Sequence, residues 1–239
     1  MIYPGIHSPI IDTILVPQGA EFQAVGRGLR GNPAPPRVLA VPMGCQPITT
    51  YLETWLQSQD FLNKPPAGIL LLGLAGSLSP QYRSGDITIY HACGDANGNQ
   101  YLPSQPLTTI LQDALAGKAA LVQGFTSDRL IISATNKANL AQQYQAAVVD
   151  MESTAALAIL QRAGIPLAIA RTISDDYQQD LPDLTAAISD KGSLQPFPLA
   201  IAMLQRPVAA VQLIRGSLRG LKALTNLTSE IFYSKSNKT

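Results

Sequence analysis

The sequence predicts an α/β layer fold, and three observations predict it. Short apolar, β-branched runs alternate with longer stretches of helical composition. Several of those runs are apolar throughout, as strands buried on both faces are. The 18 glycines and 18 prolines are scattered without a period, which means turns rather than collagen or disorder. A chain of 239 residues suits one large domain or two small ones, and it is read as a single domain over 1–239. With 46% hydrophobic and 14% charged residues it can bury a substantial core under a thinly charged surface.

The expected elements run in order. Strands are read at Thr13–Val16, Val38–Pro42, Ile69–Gly73, Asp86–Tyr90, Ala120–Phe125, Ala147–Asp150 and Leu167–Thr172. Helices are read at Glu21–Leu29, Ile48–Gln59, Lys137–Tyr144 and Glu152–Ala163. The last of these has the clearest stop, Gly164 with Pro166 beyond it. Pro33–Pro36 is a stiff loop, and the Gly/Asn-rich Asp95–Gln105 is an exposed turn or hairpin. Gly26–Arg27–Gly28 reads as a turn. The tail, 196–239, differs from the rest. Pro207 should split it into two short helices. From Leu184 to Ser229 it carries five basic residues (Lys191, Arg206, Arg215, Arg219, Lys222) and one acid, Asp190. Ile214, Leu218 and Leu221 form an apolar stripe with Arg215, Arg219 and Lys222 beside it. Either a helix docks on the sheet with a solvated basic edge, or a surface helix lies near anionic lipid headgroups. Ser234–Thr239 is polar and should fray.

Several function classes are excluded. A net charge of +1 gives no argument for nucleic-acid binding. The most apolar stretch, Gly68–Leu78, is half the ~20 residues that span a bilayer, and MIYPGIHSPI lacks the features of a signal peptide. Cys45 and Cys93 are read as free thiols in a reducing cytosol. His7 and His91, the only histidines, sit near neither a nucleophile elbow nor a metal-ligand spacing. The GxxxxGK[ST] phosphate loop is missing, as is a GxGxxG after a strand.

Three places can carry chemistry. GLAGSL (Gly73–Leu78) follows an apolar strand, and its small residues let a ligand approach the backbone, unless it is only a tight exit from the strand. VVDMES (Val148–Ser153) puts acids either side of Met151 where a strand gives way to a helix. An acid there can accept two hydrogen bonds from vicinal hydroxyls; alternatively Asp150 caps the helix, Glu152 favours its N-terminus and Met151 is core. RTISDD (Arg171–Asp176) places an aspartate at a strand's end. That suits a general acid toward a leaving purine, or a cap on the following turn.

Taken together and in this order, these places resemble the purine nucleoside phosphorylase and methylthioadenosine/adenosylhomocysteine nucleosidase superfamily. GLAGSLSPQYRSGDITI (Gly73–Ile89) resembles that family's glycine block. VVDMESTAALAIL (Val148–Leu160) resembles its ribose motif, RTISD (Arg171–Asp175) its catalytic-aspartate motif, and GFTSDRLI (Gly124–Ile131) the segment beside the base. The resemblance implies a three-layer α/β/α sandwich around a mixed central sheet, a homodimer, and no metal or organic cofactor. It implies Asp175 as general acid with Ser174 supporting it, and Glu152 gripping the ribose hydroxyls with Met151 lining the sugar. Leu130 and Ile131 would lie at the base, Ala75 and Gly76 along base and sugar, and Glu21 would position an attacking water. The departures are Asp150 for the first acid of the ribose motif, Ser77 for a glycine, Leu130 for an aromatic and Leu74 for a serine. The phosphorylases hold phosphate with arginines at stretches that correspond to Leu70–Leu72 and Val16–Glu21, and neither stretch has one here; this favours water over phosphate. LPDL after the aspartate and LQRPVAAVQLIRGSLRGL in the tail are similar to the hopanoid-associated branch, thought to remove adenine from adenosylhopane. The implied partners are a nucleoside that can be lipid-linked, its adenine product, and a membrane touched peripherally by the tail of a cytoplasmic protein.

Overall fold

The computed structural model describes residues 10–187, 189, 192–193 and 195–233. Residues 1–9 of the N-terminal stretch read for a leader, with His7, lie outside these residues. So do Asp190 and Lys191 of the tail's charge count and the polar end Ser234–Thr239.

The elements follow as β1 (Thr13–Pro17), α1 (Ala20–Gly28), β2 (Arg37–Val41), α2 (Cys45–Leu56), α3 (Gln59–Asn63), β3 (Ile69–Ser77), β4 (Ile87–Asp95), β5 (Gln100–Tyr101), α4 (Gln105–Leu115), β6 (Ala119–Thr126), α5 (Ala134–Tyr144), β7 (Val148–Asp150), α6 (Ser153–Arg162), β8 (Leu167–Asp175), α7 (Pro196–Gln205) and α8 (Pro207–Tyr233). The strands form one mixed sheet in the order β2-β1-β3-β7-β6-β4-β5, with β8 pairing β3 and β4. β8 runs parallel to β3 and antiparallel to β4, so it bridges two strands that are apart in that order. β3 reaches a third neighbour at its end, where Gly76 and Ser77 pair β7 antiparallel. The sheet therefore wraps partly onto itself, and the ends of β3, β7 and β8 meet.

Two apolar layers enclose it. One face packs Ile48, Leu52 and Trp55 of α2 and Ala156, Leu157 and Leu160 of α6 against strand residues such as Leu71 and Ile169. The other packs Ala24 and Val25 of α1, Leu107, Leu111 and Leu115 of α4, and Leu224, Leu227 and Ile231 of α8 against Ile14, Leu70 and Ala170. The expected three-layer α/β arrangement around a mixed sheet is what the chain forms. Every residue of β8 is buried, as a strand covered on both faces must be.

The differences from expectation have physical causes. Helix α4 has no counterpart among the expected helices. Its signal is the i, i+4, i+8 spacing of Leu107, Leu111 and Leu115 behind Pro106, and the Gly/Asn-rich turn before it masks where it begins. That turn is a hairpin, with Asp95 Oδ1 accepting the Asn97 and Asn99 N–H groups. Gly26–Arg27–Gly28 is not a turn but part of α1, where a Cβ on Gly28 would meet the Thr225 carbonyl at 2.5 Å. GLAGSL is not an exit from a strand either: β3 continues through Ser77. Pro207 does divide the tail, but α8 has 27 residues and is not short. Its docking face is Gly216, Gly220, Leu224, Leu227 and Ile231, offset from the expected stripe; Ile214 and Leu218 are 48% and 61% exposed.

Candidate active site

The site begins with missing Cβ atoms in β3. A Cβ on Gly73 would lie 2.3 Å from Arg171 Nη1 and 2.9 Å from Glu21 Oε1, and one on Gly76 would lie 3.0 Å from Asp175 Oδ2. Glycine at these positions lets three charged side chains from two other elements close on the strand. Two more glycines, Gly216 and Gly220 of α8, let that helix sit against the back of β8. Their Cβ atoms would meet the Ser174 and Ile173 carbonyls at 2.2 and 2.8 Å.

Where β7 passes into α6, Asp150 turns inward and organises the junction. Its Oδ1 accepts the N–H groups of Glu152 and Ser153, both at 3.1 Å, and the Thr126 hydroxyl at 3.0 Å. Its Oδ2 takes the Ser153 hydroxyl and lies 3.2 Å from Arg171 Nε. Asp150 thus caps the helix start, as one of its two sequence readings has it. Glu152 does something else. Its Oε2 pairs with Arg171 Nη2 at 3.2 Å and its Oε1 accepts the Gly44 N–H at 3.0 Å, which leaves the carboxylate at the wall of a cleft. Arg171 is fully buried on β8. Burial works against its charge, but Asp150 and Glu152 outweigh it and keep the guanidinium charged.

Glu21 enters from the first turn of α1, after Gly19 at φ 93°, and its Oε1 accepts the Leu74 N–H at 2.7 Å. Burial of the carboxyl pushes it up to about 7; the neighbouring Glu152 adds to this, while the Leu74 N–H and Arg171 oppose it. Burial likewise raises Glu152 above the usual carboxylate range, against the pull of Arg171. Asp175 ends β8 with Oδ1 accepting the Ser174 hydroxyl at 2.7 Å and Oδ2 accepting Lys137 Nζ at 2.5 Å. Cys45, half-buried nearby, donates to the Met151 carbonyl at 3.2 Å. Burial and the adjacent Asp150 and Glu152 raise it to about 12, so it stays a thiol and offers no nucleophile.

All nine residues singled out in the sequence (Glu21, Ala75, Gly76, Leu130, Ile131, Met151, Glu152, Ser174 and Asp175) line this one cleft. The sequence reading gave no role to Met43, Arg129 and Leu181, which also line it, nor to Lys137 and Gly44 behind it. Arg129 stood inside a quoted motif. Lys137 left no signal, because a lysine in a polar helical stretch reads as solvated surface.

The chain matches a known family in sequence and known proteins in fold. Residues 24–195 match the model of the Phosphorylase superfamily. No curated protein is a significant sequence match. Among solved structures, 5′-methylthioadenosine/S-adenosylhomocysteine nucleosidase from Helicobacter pylori superposes with a TM-score of 0.65 at 14% identity, covering 95% of this chain and 97% of that one. Futalosine hydrolase of the same organism gives 0.64 at 15% identity, over 91% and 97%. The Campylobacter jejuni nucleosidase gives 0.65 at 13%, over 92% and 96%. At such identities the likeness is one of fold. With its glycine block, paired acids and terminal aspartate gathered in one cleft, and with the family model spanning most of its length, the chain belongs to the phosphorylase superfamily and is an enzyme of it.

Proposed function

We propose that this enzyme cleaves the N-glycosidic bond of an adenosine-type nucleoside and releases adenine, with water as the nucleophile. The observation that carries the reading is the convergence of Glu21, Glu152 and Asp175 on one cleft. Cleavage at C1′ builds positive charge on the sugar and negative charge on the base. Glu152 supplies a carboxylate for the ribose hydroxyls and for the oxocarbenium-like sugar, with Met151 along its apolar face. Asp175, steadied by Ser174, gives the purine N7 a proton as the base leaves. Glu21, near 7, is balanced to take a proton from water at neutral pH. Leu130, Ile131, Ala75 and Gly76 offer an apolar slot for the base.

Water is favoured because a phosphate dianion needs uncommitted donors. Arg171 is already paired with Asp150 and Glu152, and Arg27 and Arg30 lie exposed on and just after α1, away from the cleft lining; Arg129 is the one lining arginine outside an ion pair among the described residues, and strict dependence on phosphate would assign it that anion.

The finer reading is a lipid-linked 5′ substituent, as in adenosylhopane, met by a cytoplasmic homodimer of this single domain that touches the membrane. The tail supports the membrane part. Phe197, Ile201 and Leu204 of α7 and Val208, Val211, Ile214 and Leu218 of α8 are exposed, Phe197 and Leu204 by 77% and 80%. Arg206, Arg215 and Arg219 are exposed beside them, and the sequence has no acid between Lys191 and Glu230. An apolar face flanked by exposed arginines complements an anionic lipid surface.

The test is adenine release from adenosine, methylthioadenosine, adenosylhomocysteine and adenosylhopane, each with and without phosphate. Release independent of phosphate is expected. Binding of these nucleosides without release of adenine overturns the reading, and strict dependence on phosphate overturns the choice of water.

A further inference from the structure

Helix α5 is built the wrong way round for a surface helix. Of its eleven residues it fully buries one, and that one is Lys137. The side chain is 0% exposed, and all three ammonium hydrogens have acceptors: Asp175 Oδ2 at 2.5 Å, the Asp176 carbonyl at 2.9 Å and the Gln179 carbonyl at 3.3 Å. Lys137 does not line the cleft, yet its partner ends β8 inside it. A buried ion pair that only filled space could be replaced by apolar side chains of similar volume. Two features set this pair apart. Its carboxyl faces the cleft, and its ammonium ties that carboxyl to the segment after β8 through two backbone carbonyls.

The charged groups around the lysine leave Asp175 as its one ionic partner among the described residues. The Asp176 carboxylate turns away to the Ser84 N–H and hydroxyl. Asp180 caps α5 by accepting the Ala134 N–H. Glu21, Glu152, Asp150 and Arg171 form their own group at the other end of the cleft, and Arg129 lies on its wall.

Resting on the nucleoside reading above, we propose that Lys137 is a positioning residue for Asp175, and that the Lys137–Asp175 pair holds the proton which the departing base takes up. The pair carries one transferable proton, drawn either as ammonium and carboxylate or as amine and carboxylic acid. As the C1′–N9 bond breaks, its electron pair goes to the purine. N7 takes the proton from Asp175, and the pair is left as amine and carboxylate, to be reloaded from solvent. A lone carboxyl must be met already protonated, whereas the pair can deliver its proton from the charged state.

The experiment compares two leaving groups. Adenine needs a proton to depart; 4-nitrophenolate, from 4-nitrophenyl β-ribofuranoside, does not. For Lys137→Met the expected result is a loss of about 100-fold or more in kcat on adenosine at pH 8, the scale of general-acid catalysis. That deficit should shrink as pH falls and a lone Asp175 becomes protonated, while the nitrophenyl riboside is cleaved within about 3-fold of wild type. Lys137→Arg keeps the charge but cannot release a proton, so it should show the same split between substrates. If both variants lose the two substrates equally, or keep adenosine cleavage with an unchanged pH profile, Lys137 is only structural and the inference falls. Should the wild type cleave neither substrate, the nucleoside reading itself falls and takes this inference with it.

Discussion

The two ends of the cleft handle charge in opposite ways. At the end proposed for the sugar, three carboxyls (Asp150, Glu152 and Glu21) surround one guanidinium, that of Arg171, and burial pushes both Glu21 and Glu152 upward. At the end proposed for the base a single carboxyl, Asp175, faces a single ammonium, Lys137, and the charges balance. Both ends are buried, so the difference lies in stoichiometry. An excess of fixed negative charge suits a place where a cation forms during the reaction. A matched pair suits a place where a proton is held until the leaving base takes it and is then restored from solvent. The same cleft can thus hold a sugar that turns positive and a base that turns negative.

The base end can be broken most severely. Asp175→Asn keeps the shape and removes the proton, so kcat for adenine release should fall by about 10²–10⁴-fold with nucleoside binding retained. If most activity survives in a steady-state assay, the acid is elsewhere. The sugar end should fail as structure before it fails as chemistry. Arg171→Met strands Asp150 and Glu152 in the interior, and removing one partner of a buried ion pair costs about 3–5 kcal/mol. Denaturant unfolding should register that loss, and a variant as stable as wild type would mean that the carboxyls do not depend on the guanidinium.

Glu21→Gln separates function from stability. With the folded carboxyl raised to about 7 from the 4.5 of a free glutamate, the native state binds the proton more tightly than the unfolded chain does. Its contribution to stability is full below about 4.5 and is lost as pH rises through about 7. The variant should therefore lose hydrolysis, yet match or exceed wild-type stability above pH 7 by an amount on the order of 1–3 kcal/mol. In wild type, kcat/KM should drop as pH falls through about 7, because the base must be ionised. An acid limb in the range of an ordinary carboxylate would remove Glu21 from that role.

The smallest effect on stability belongs to the tail. Phe197→Ser with Leu204→Ser alters side chains that are mostly in solvent, so unfolding should shift by no more than about 0.5 kcal/mol per site. Sedimentation with vesicles containing anionic phospholipid should nonetheless weaken. Equal sedimentation of variant and wild type would reject the membrane contact.

Much of this was readable from residues in a row. Runs such as Ile69–Leu72 and Leu167–Ala170 are too apolar to be anything but buried strands. Ser153–Arg162 carries its stop at Gly164, where φ is 72°. VDMES and RTISD hold three acids of the cleft, Asp150, Glu152 and Asp175, because each motif spans the end of one strand, so a few neighbours in sequence stay neighbours in space. What failed was whatever depends on a second element. The glycines at 73 and 76 read either as room for a ligand or as an exit from a strand; they are gaps inside β3 that Arg171, Glu21 and Asp175 fill. Of the two readings of the α8 stripe, docking through Ile214 and Leu218 does not hold, because two glycines let the helix approach β8 and leave those side chains exposed.

By itself, then, the sequence determined the class of fold and the order of most elements, since local pattern carries that information, and the resemblance of its short motifs to a family pointed to the side chains that gather in the cleft. Only the tertiary structure decided how those side chains are charged and held. The pairing of Lys137 with Asp175 spans 38 positions, and that of Arg171 with Glu152 joins β8 to the start of α6. Whether a carboxyl is an acid, a base or a cap depends on burial and on which opposite charge comes within about 3 Å of it, and packing sets both.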